Sequence, residues 1–141
     1  MNQQLREYTL YMAWMVAVIA TLGSLYFSEV RGFIPCDLCW FQRILMYPLS
    51  VILGIAAFYN ERLLKKYVLP LSIIGGCISL FHYMEQKIPG FASIRPCTNG
   101  VPCSTQYINW FGFVTIPFLA LVAFILITTL MILTKTKQTS N

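Results

Sequence analysis

Tyr8–Ser28 reads YTLYMAWMVAVIATLGSLYFS, 21 residues without an Asp, Glu, Lys or Arg. Wound as a helix at about 1.5 Å per residue, it reaches about 30 Å, the thickness of a bilayer's hydrocarbon core. Three further charge-free runs follow: Ile44–Asn60 (17 residues), Tyr67–Met84 (18, with His82 inside) and Pro96–Thr134 (39). The whole chain is 57% hydrophobic and 11% charged, where soluble domains run about 45–50% and about 25%. A soluble globule does not fit this pattern. The expected architecture is an all-α membrane protein, a four-helix transmembrane bundle. Residues 1–141 form one integral membrane domain, with spans near 8–27, 41–59, 67–85 and 110–133 and a long loop over 86–109.

The first run is about twice the 7–15-residue core of a secretory signal, and its basic leader is only Arg6 beside Glu7, so it is expected to be retained. The net charge of +5 and pI near 9.1 do not indicate nucleic acid, because the basic residues are scattered between spans instead of gathered on a face. They bear on topology. Arg6, Arg62, Lys65, Lys66, Lys135 and Lys137 belong to the termini and the 60–66 connection, while Arg31, Lys87 and Arg95 belong to the opposite side and Arg43 to the membrane edge. Six against three predicts that both termini are cytoplasmic. Aromatics at span ends (Tyr26, Phe27, Trp40, Tyr59, Tyr67, Tyr83, Trp110) suit the two interfacial belts.

Small residues recur four apart, as in Ala13/Ala17/Thr21, Ser50/Gly54, Ser72/Gly76 and Gly75/Ser79, which predicts close helix approach in a compact bundle. Pro48 and Pro117 fall inside the expected spans, where each predicts a local kink.

Chemistry concentrates on the cysteines. Cys36 and Cys39 precede the second span, Cys97 and Cys103 lie in the long loop, and Cys77 sits mid-span, where it is expected to be a small buried apolar residue. The topology puts both pairs outside the cytosol, where disulfides form and persist. Cys36-Asp37-Leu38-Cys39 opens a helix, with Pro35 at the position favoured there. Unpaired amides and the positive end of the helix dipole favour a thiolate. Lowering a thiol pKa from about 8.5 to about 7 raises the thiolate fraction at pH 7 from roughly 3% to roughly half. Between Cys97 and Cys103, the turn-forming Asn99-Gly100 allows the segment to fold back. A bridge there would close a small ring, contributing roughly 2.4 kcal/mol by chain entropy against roughly 4.4 kcal/mol for a closure of Cys36 to Cys103. Such a weakly protected bond suits exchange. Two alternatives stand beside redox exchange: inert bracing of the outer loops, and a four-thiolate zinc site, which the wide second spacing and the oxidising compartment disfavour.

Arg43 lies four residues after Cys39, on the same helical face one turn deeper. A buried arginine in a membrane needs compensation. Snorkelling to headgroups is one source, and a polar ligand with a carbonyl or oxyanion held beside Cys39 is the other. His82, the one histidine, excludes a bis-histidine haem. It either bonds between helices or serves a quinone carbonyl or proton relay.

This layout resembles the disulfide bond formation protein B (DsbB) family, especially its shorter Gram-positive BdbC-like members. The features that carry the resemblance are four spans, Cys36-x-x-Cys39 opening the second, Arg43 a turn on, and Cys97 with Cys103 between the third and fourth. It implies a quinone-dependent protein-disulfide oxidoreductase of the bacterial plasma membrane. A reduced thioredoxin-like extracytoplasmic oxidase would attack a Cys97–Cys103 disulfide at Cys97. Cys103 would then attack Cys36, and Cys39, released as a thiolate, would pass two electrons to menaquinone or ubiquinone. Arg43 would polarise a quinone oxygen, and His82, within Leu80-Phe81-His82-Tyr83-Met84, would line the same site. Two features depart from the family pattern: the short spacing of the loop cysteines, and Gln42 where an acidic residue occurs in some members. Quinone reductases resembling the vitamin K epoxide reductase family carry their Cys-x-x-Cys near the last span, unlike Cys36 and Cys39 here. A small four-helix transporter or a structural subunit with braced loops is the non-enzymatic alternative. A transporter calls for an embedded carboxylate that the charge-free runs lack.

Overall fold

The computed structural model describes residues 3–34, 37–59, 62–88, 111–112 and 115–136. Helix α1 (Gln3–Leu25) continues into a π-helical turn, Tyr26–Val30, and is followed by α2 (Asp37–Tyr59), α3 (Arg62–Lys87) and α4 (Ile116–Thr136). All four are long and apolar enough to cross a membrane, the shortest such stretch being the 19 residues Ile116–Thr134. There is no strand among the described residues. Each helix packs against two neighbours in the cyclic order α1–α2–α3–α4–α1, which is an up-and-down four-helix bundle. The end at which α2 and α4 begin is called the upper end below.

The helices overrun the charge-free runs because a charged side chain ends the apolar stretch without ending the backbone hydrogen bonding. α2 starts at Asp37, an acidic residue favoured by the dipole of a first turn, and α3 runs from Arg62 to Lys87. At the fourth span the expectation is corrected. α4 begins at Ile116, after Phe111 and Gly112 adopt positive φ (54° and 82°) and turn the chain. Pro117 therefore stands in the first turn of α4, where a missing amide costs nothing, and makes no mid-span kink. Pro48 lies inside α2 as expected, and α3 carries a further internal proline, Pro70.

The bundle is inside-out compared with a soluble one. The buried stripe of α3 is Val68, Ser72, Gly75, Ser79, His82 and Glu85, mostly small or polar, while Ile73, Ile74 and Leu80 point outward. Lipid offers no hydrophobic drive, so close packing and interhelical hydrogen bonds hold such helices together. Thr128 Oγ1 donates to Ser72 Oγ across α3 and α4 at 2.9 Å. Ala13 and Ala17 are fully buried, Gly54 lets the Trp14 indole approach α2, and Gly75 seats the Phe124 ring. Cys77 departs from expectation. It is exposed on the lipid-facing surface, because the inward positions of its turn are taken by Gly75 and Ser79.

Candidate functional site

Cys39 is in the first turn of α2, where backbone amides lack helical partners. Gln42 and Arg43 follow one turn below and Met46 and Tyr47 another turn down, so one stripe of α2 carries them all. This stripe walls a cavity of about 420 Å³ between α1, α2 and α4, within the roughly 300–1,000 Å³ of small-molecule sites. From Cys39 to Tyr47 the wall descends about 12 Å at helical rise. The remaining walls are largely apolar: Val16, Ile19 and Ala20 from α1, and Leu119, Ala123 and Phe124 from α4.

The upper rim is shaped by the widened turn at the end of α1. Arg31 N–H donates to the Tyr26 carbonyl at 3.2 Å, five residues back, and Phe33 N–H reaches the Phe27 carbonyl at 3.0 Å. Gly32 between them has φ +68°, a conformation that a side chain would strain. The result stacks Phe27 on Phe33, rings 6.0 Å apart and 12° from parallel, at the cavity edge.

Arg43 is half-buried, and its Nη2 donates to the Ser24 carbonyl of α1 at 3.0 Å. Its guanidinium also lies 5.7 Å from the centroid of Trp40, within cation–π range. The protein itself thus supplies part of the compensation that a membrane arginine requires, and most of the five guanidinium donors are left for other partners.

Gln42 and His82 form the second polar pair. Both are almost fully buried, 5% and 1% exposed, and Gln42 Nε2 lies 3.2 Å from His82 Nδ1 across α2 and α3. Gln42 lines the cavity. His82 is not among its lining residues and stands behind Gln42 on α3, in the interhelical contact that was one of its two expected roles. Leu38, beside Cys39, packs on Ile78 and Phe81 and closes the α2–α3 side.

Of the expected site residues, the structure brings Cys39 and Arg43 to one cavity and places His82 one residue back. Cys36, Cys97 and Cys103 lie outside the described residues, as do the bracing and zinc alternatives that turn on them. Three contributors went unread in the sequence: the Gln42 amide, the Ser24 carbonyl and the turn at Gly32. Gln42 was legible only as a missing acid. Arg31-Gly32 followed by Phe33 carries a turn signal without indicating which cavity it rims.

The family model described as disulfide bond formation protein DsbB matches residues 6–134. The chain is 69% identical over 126 residues to disulfide bond formation protein C of Bacillus subtilis (strain 168), covering 89% of this chain and 91% of that protein. It is 53% identical over 126 residues to the probable disulfide formation protein C 1 of Bacillus anthracis, with the same coverage of 89% and 91%. It is also 50% identical over 123 residues to the probable disulfide formation protein of Coxiella burnetii (strain RSA 493 / Nine Mile phase I), covering 86% and 84%. No solved structure gives a significant match. With four membrane-spanning helices and a family match over nearly its whole length, the chain belongs to the DsbB family of disulfide bond formation proteins.

Proposed function

We propose that this membrane disulfide oxidase re-oxidises an extracytoplasmic thioredoxin-like oxidase and delivers the electrons to a membrane quinone in the cavity beside Cys39. The disulfide-forming role is that of its family. The observation that carries the quinone assignment is the cavity's composition: a thiol, a guanidinium and an amide on largely apolar walls, within the membrane-spanning part of the bundle.

The residues fit a flat, lipid-soluble ring bearing oxygens. Tyr47, on the same wall, has a buried hydroxyl with no hydrogen-bond partner among the described residues. Arg43 retains donors for an oxygen, and the apolar walls suit a hydrocarbon ring and tail. A bound quinone supplies acceptance of two electrons and two protons. The residues that would hold it are Arg43 at the polar end, with Met46, Ala123 and Phe124 around the apolar part.

The chain's own sulfurs carry the exchange. The reduced partner's thiolate attacks a Cys97–Cys103 disulfide at Cys97, forming a mixed disulfide and freeing Cys103; the partner's second thiol then resolves that bond and leaves the partner oxidised. Cys103 attacks a Cys36–Cys39 disulfide at Cys36 and releases Cys39 as a thiolate; Cys97 then resolves the Cys36–Cys103 bond, restoring Cys97–Cys103 and leaving Cys36 and Cys39 both reduced, and their two electrons pass to the acceptor as the Cys36–Cys39 bond re-forms. In the first turn of α2 the unpaired amides favour the Cys39 thiolate, and Cys39 there faces the cavity. Two electrons leave the partner and two reach the acceptor. The six-to-three distribution of basic residues supports cytoplasmic termini, with both cysteine pairs outside.

The test is anaerobic. Purified full chain in lipid nanodiscs, given dithiothreitol and ubiquinone-1 or menadione, should bleach the quinone absorbance catalytically, and Cys39→Ser should stop it. Quinone reduction no faster than with dithiothreitol alone would defeat the assignment.

A further inference from the structure

The pairing of Gln42 with His82 has a chemical consequence for the acceptor site. A glutamine amide offers two N–H donors and a carbonyl acceptor. Here one N–H of Nε2 is directed at His82 Nδ1, 3.2 Å away. With the amide nitrogen as donor, Nδ1 of the imidazole is the accepting atom of this contact. In the structure the amide nitrogen faces the imidazole and the carbonyl oxygen faces away from it. The carbonyl oxygen of Gln42 takes no hydrogen bond from any described residue, and it is not among the buried polar atoms left without a partner, so it stays accessible on a side chain that lines the cavity. An accessible amide oxygen beside an apolar cavity is an acceptor that a ligand hydroxyl can use.

We infer that Gln42 is a ligand-contacting residue that recognises the reduced form of the acceptor, and that His82 is the positioning residue holding its amide in the accepting orientation. The inference rests on the quinone reading above. A quinone has carbonyl oxygens only and donates nothing, whereas a hydroquinone carries O–H donors. Arg43, a donor only, suits an oxygen of the oxidised form. Gln42 Oε1 suits an O–H of the reduced form. The two neighbours on α2 thereby divide the two redox states of one ligand between them. His82 makes no contact with the ligand. If the imidazole lost its hold, the amide could turn its N–H groups to the cavity and the preference would reverse.

Equilibrium binding distinguishes this arrangement from a merely structural pair. The full chain in nanodiscs is titrated anaerobically with menadione, using protein whose cysteines are oxidised, and with menadiol, using protein whose cysteines are reduced, so that no electrons move. Gln42→Met, close in volume, should weaken menadiol binding about tenfold, which corresponds to about 1.4 kcal/mol, while leaving menadione binding within about twofold. Gln42→Glu, whose carboxylate also accepts, should restore menadiol binding. His82→Phe should shift the ratio of the two affinities in the same direction as Gln42→Met, and the double variant should cost no more than either single one. Nitrogen-15 NMR of the imidazole should show unprotonated Nδ1 in the parent chain. Should Gln42→Met fail to insert, Gln42→Glu and His82→Phe still read the ratio. Equal weakening of both forms, or no change in either, would overturn the inference and leave the proposed function standing. A parent chain that binds neither form would remove the quinone reading itself.

Discussion

Gly75→Ala tests whether the cavity wall is held where the structure puts it. A methyl carbon at position 75 would stand 2.8 Å from Phe124 Cδ1 and nearer still to Cε1 and Cζ. Carbons in contact sit about 3.5–4.0 Å apart, so the ring must retreat by roughly 1 Å or α3 and α4 must part. Phe124 is fully buried, which leaves its ring little room except the cavity that it also lines. Overpacking of this kind costs about 1–3 kcal/mol, which for a chain of this size lowers the unfolding midpoint by several degrees. Thermal unfolding in micelles reads the first consequence, and equilibrium titration with menadione reads the second as weaker binding. Adding Phe124→Leu frees space at the contact, so the double variant should recover part of both losses although Phe124→Leu alone is destabilising. An unchanged midpoint together with unchanged menadione affinity in Gly75→Ala would refute both the close seat and its link to the cavity.

The remaining predictions concern the sulfurs, the arginine and sidedness. Single Ser substitutions at Cys36, Cys39, Cys97 or Cys103 should each abolish quinone-dependent dithiol oxidation without loss of membrane insertion, whereas Cys77→Ser, on the lipid-facing surface, should keep parental turnover. Arg43→Ala removes the bond to the Ser24 carbonyl and the contact with Trp40; it should raise the apparent KM for quinone by about tenfold or more, a change of about 1.4 kcal/mol, while dithiol binding stays unchanged. In intact cells, after reduction, a membrane-impermeant maleimide should label the loop cysteines Cys97 and Cys103, and label appearing only after lysis would reverse the proposed orientation.

The spans were legible because a charge-free run of 17 or more residues has few alternatives to crossing a bilayer. Their ends were less so. α4 begins only at Ile116, after Phe111 and Gly112 at positive φ, which apolar periodicity does not encode, and Pro117 therefore stands at a helix start instead of the expected kink. Cys39 and Arg43 were readable together because spacing of four fixes a shared face within one helix. Cys77 was misread because hydropathy alone does not tell a lipid-facing position from a bundle-facing one. The Gln42–His82 contact joins residues 40 apart in sequence and depends on how α2 meets α3, which no local pattern states. The same holds for Ser24, whose role lies in its backbone carbonyl and leaves no mark on residue type.

The most direct test of the central claim is to photolabel the reconstituted full chain with an azido-quinone and map the adducts by mass spectrometry. The account predicts adducts on the facing walls of α2 and α4, around Met46, Ala123 and Phe124, with competition by unlabelled menadione. Label confined to the separate groove lined by Trp14, Gly54 and Phe58, or spread evenly over the lipid-facing surface without competition, would contradict it.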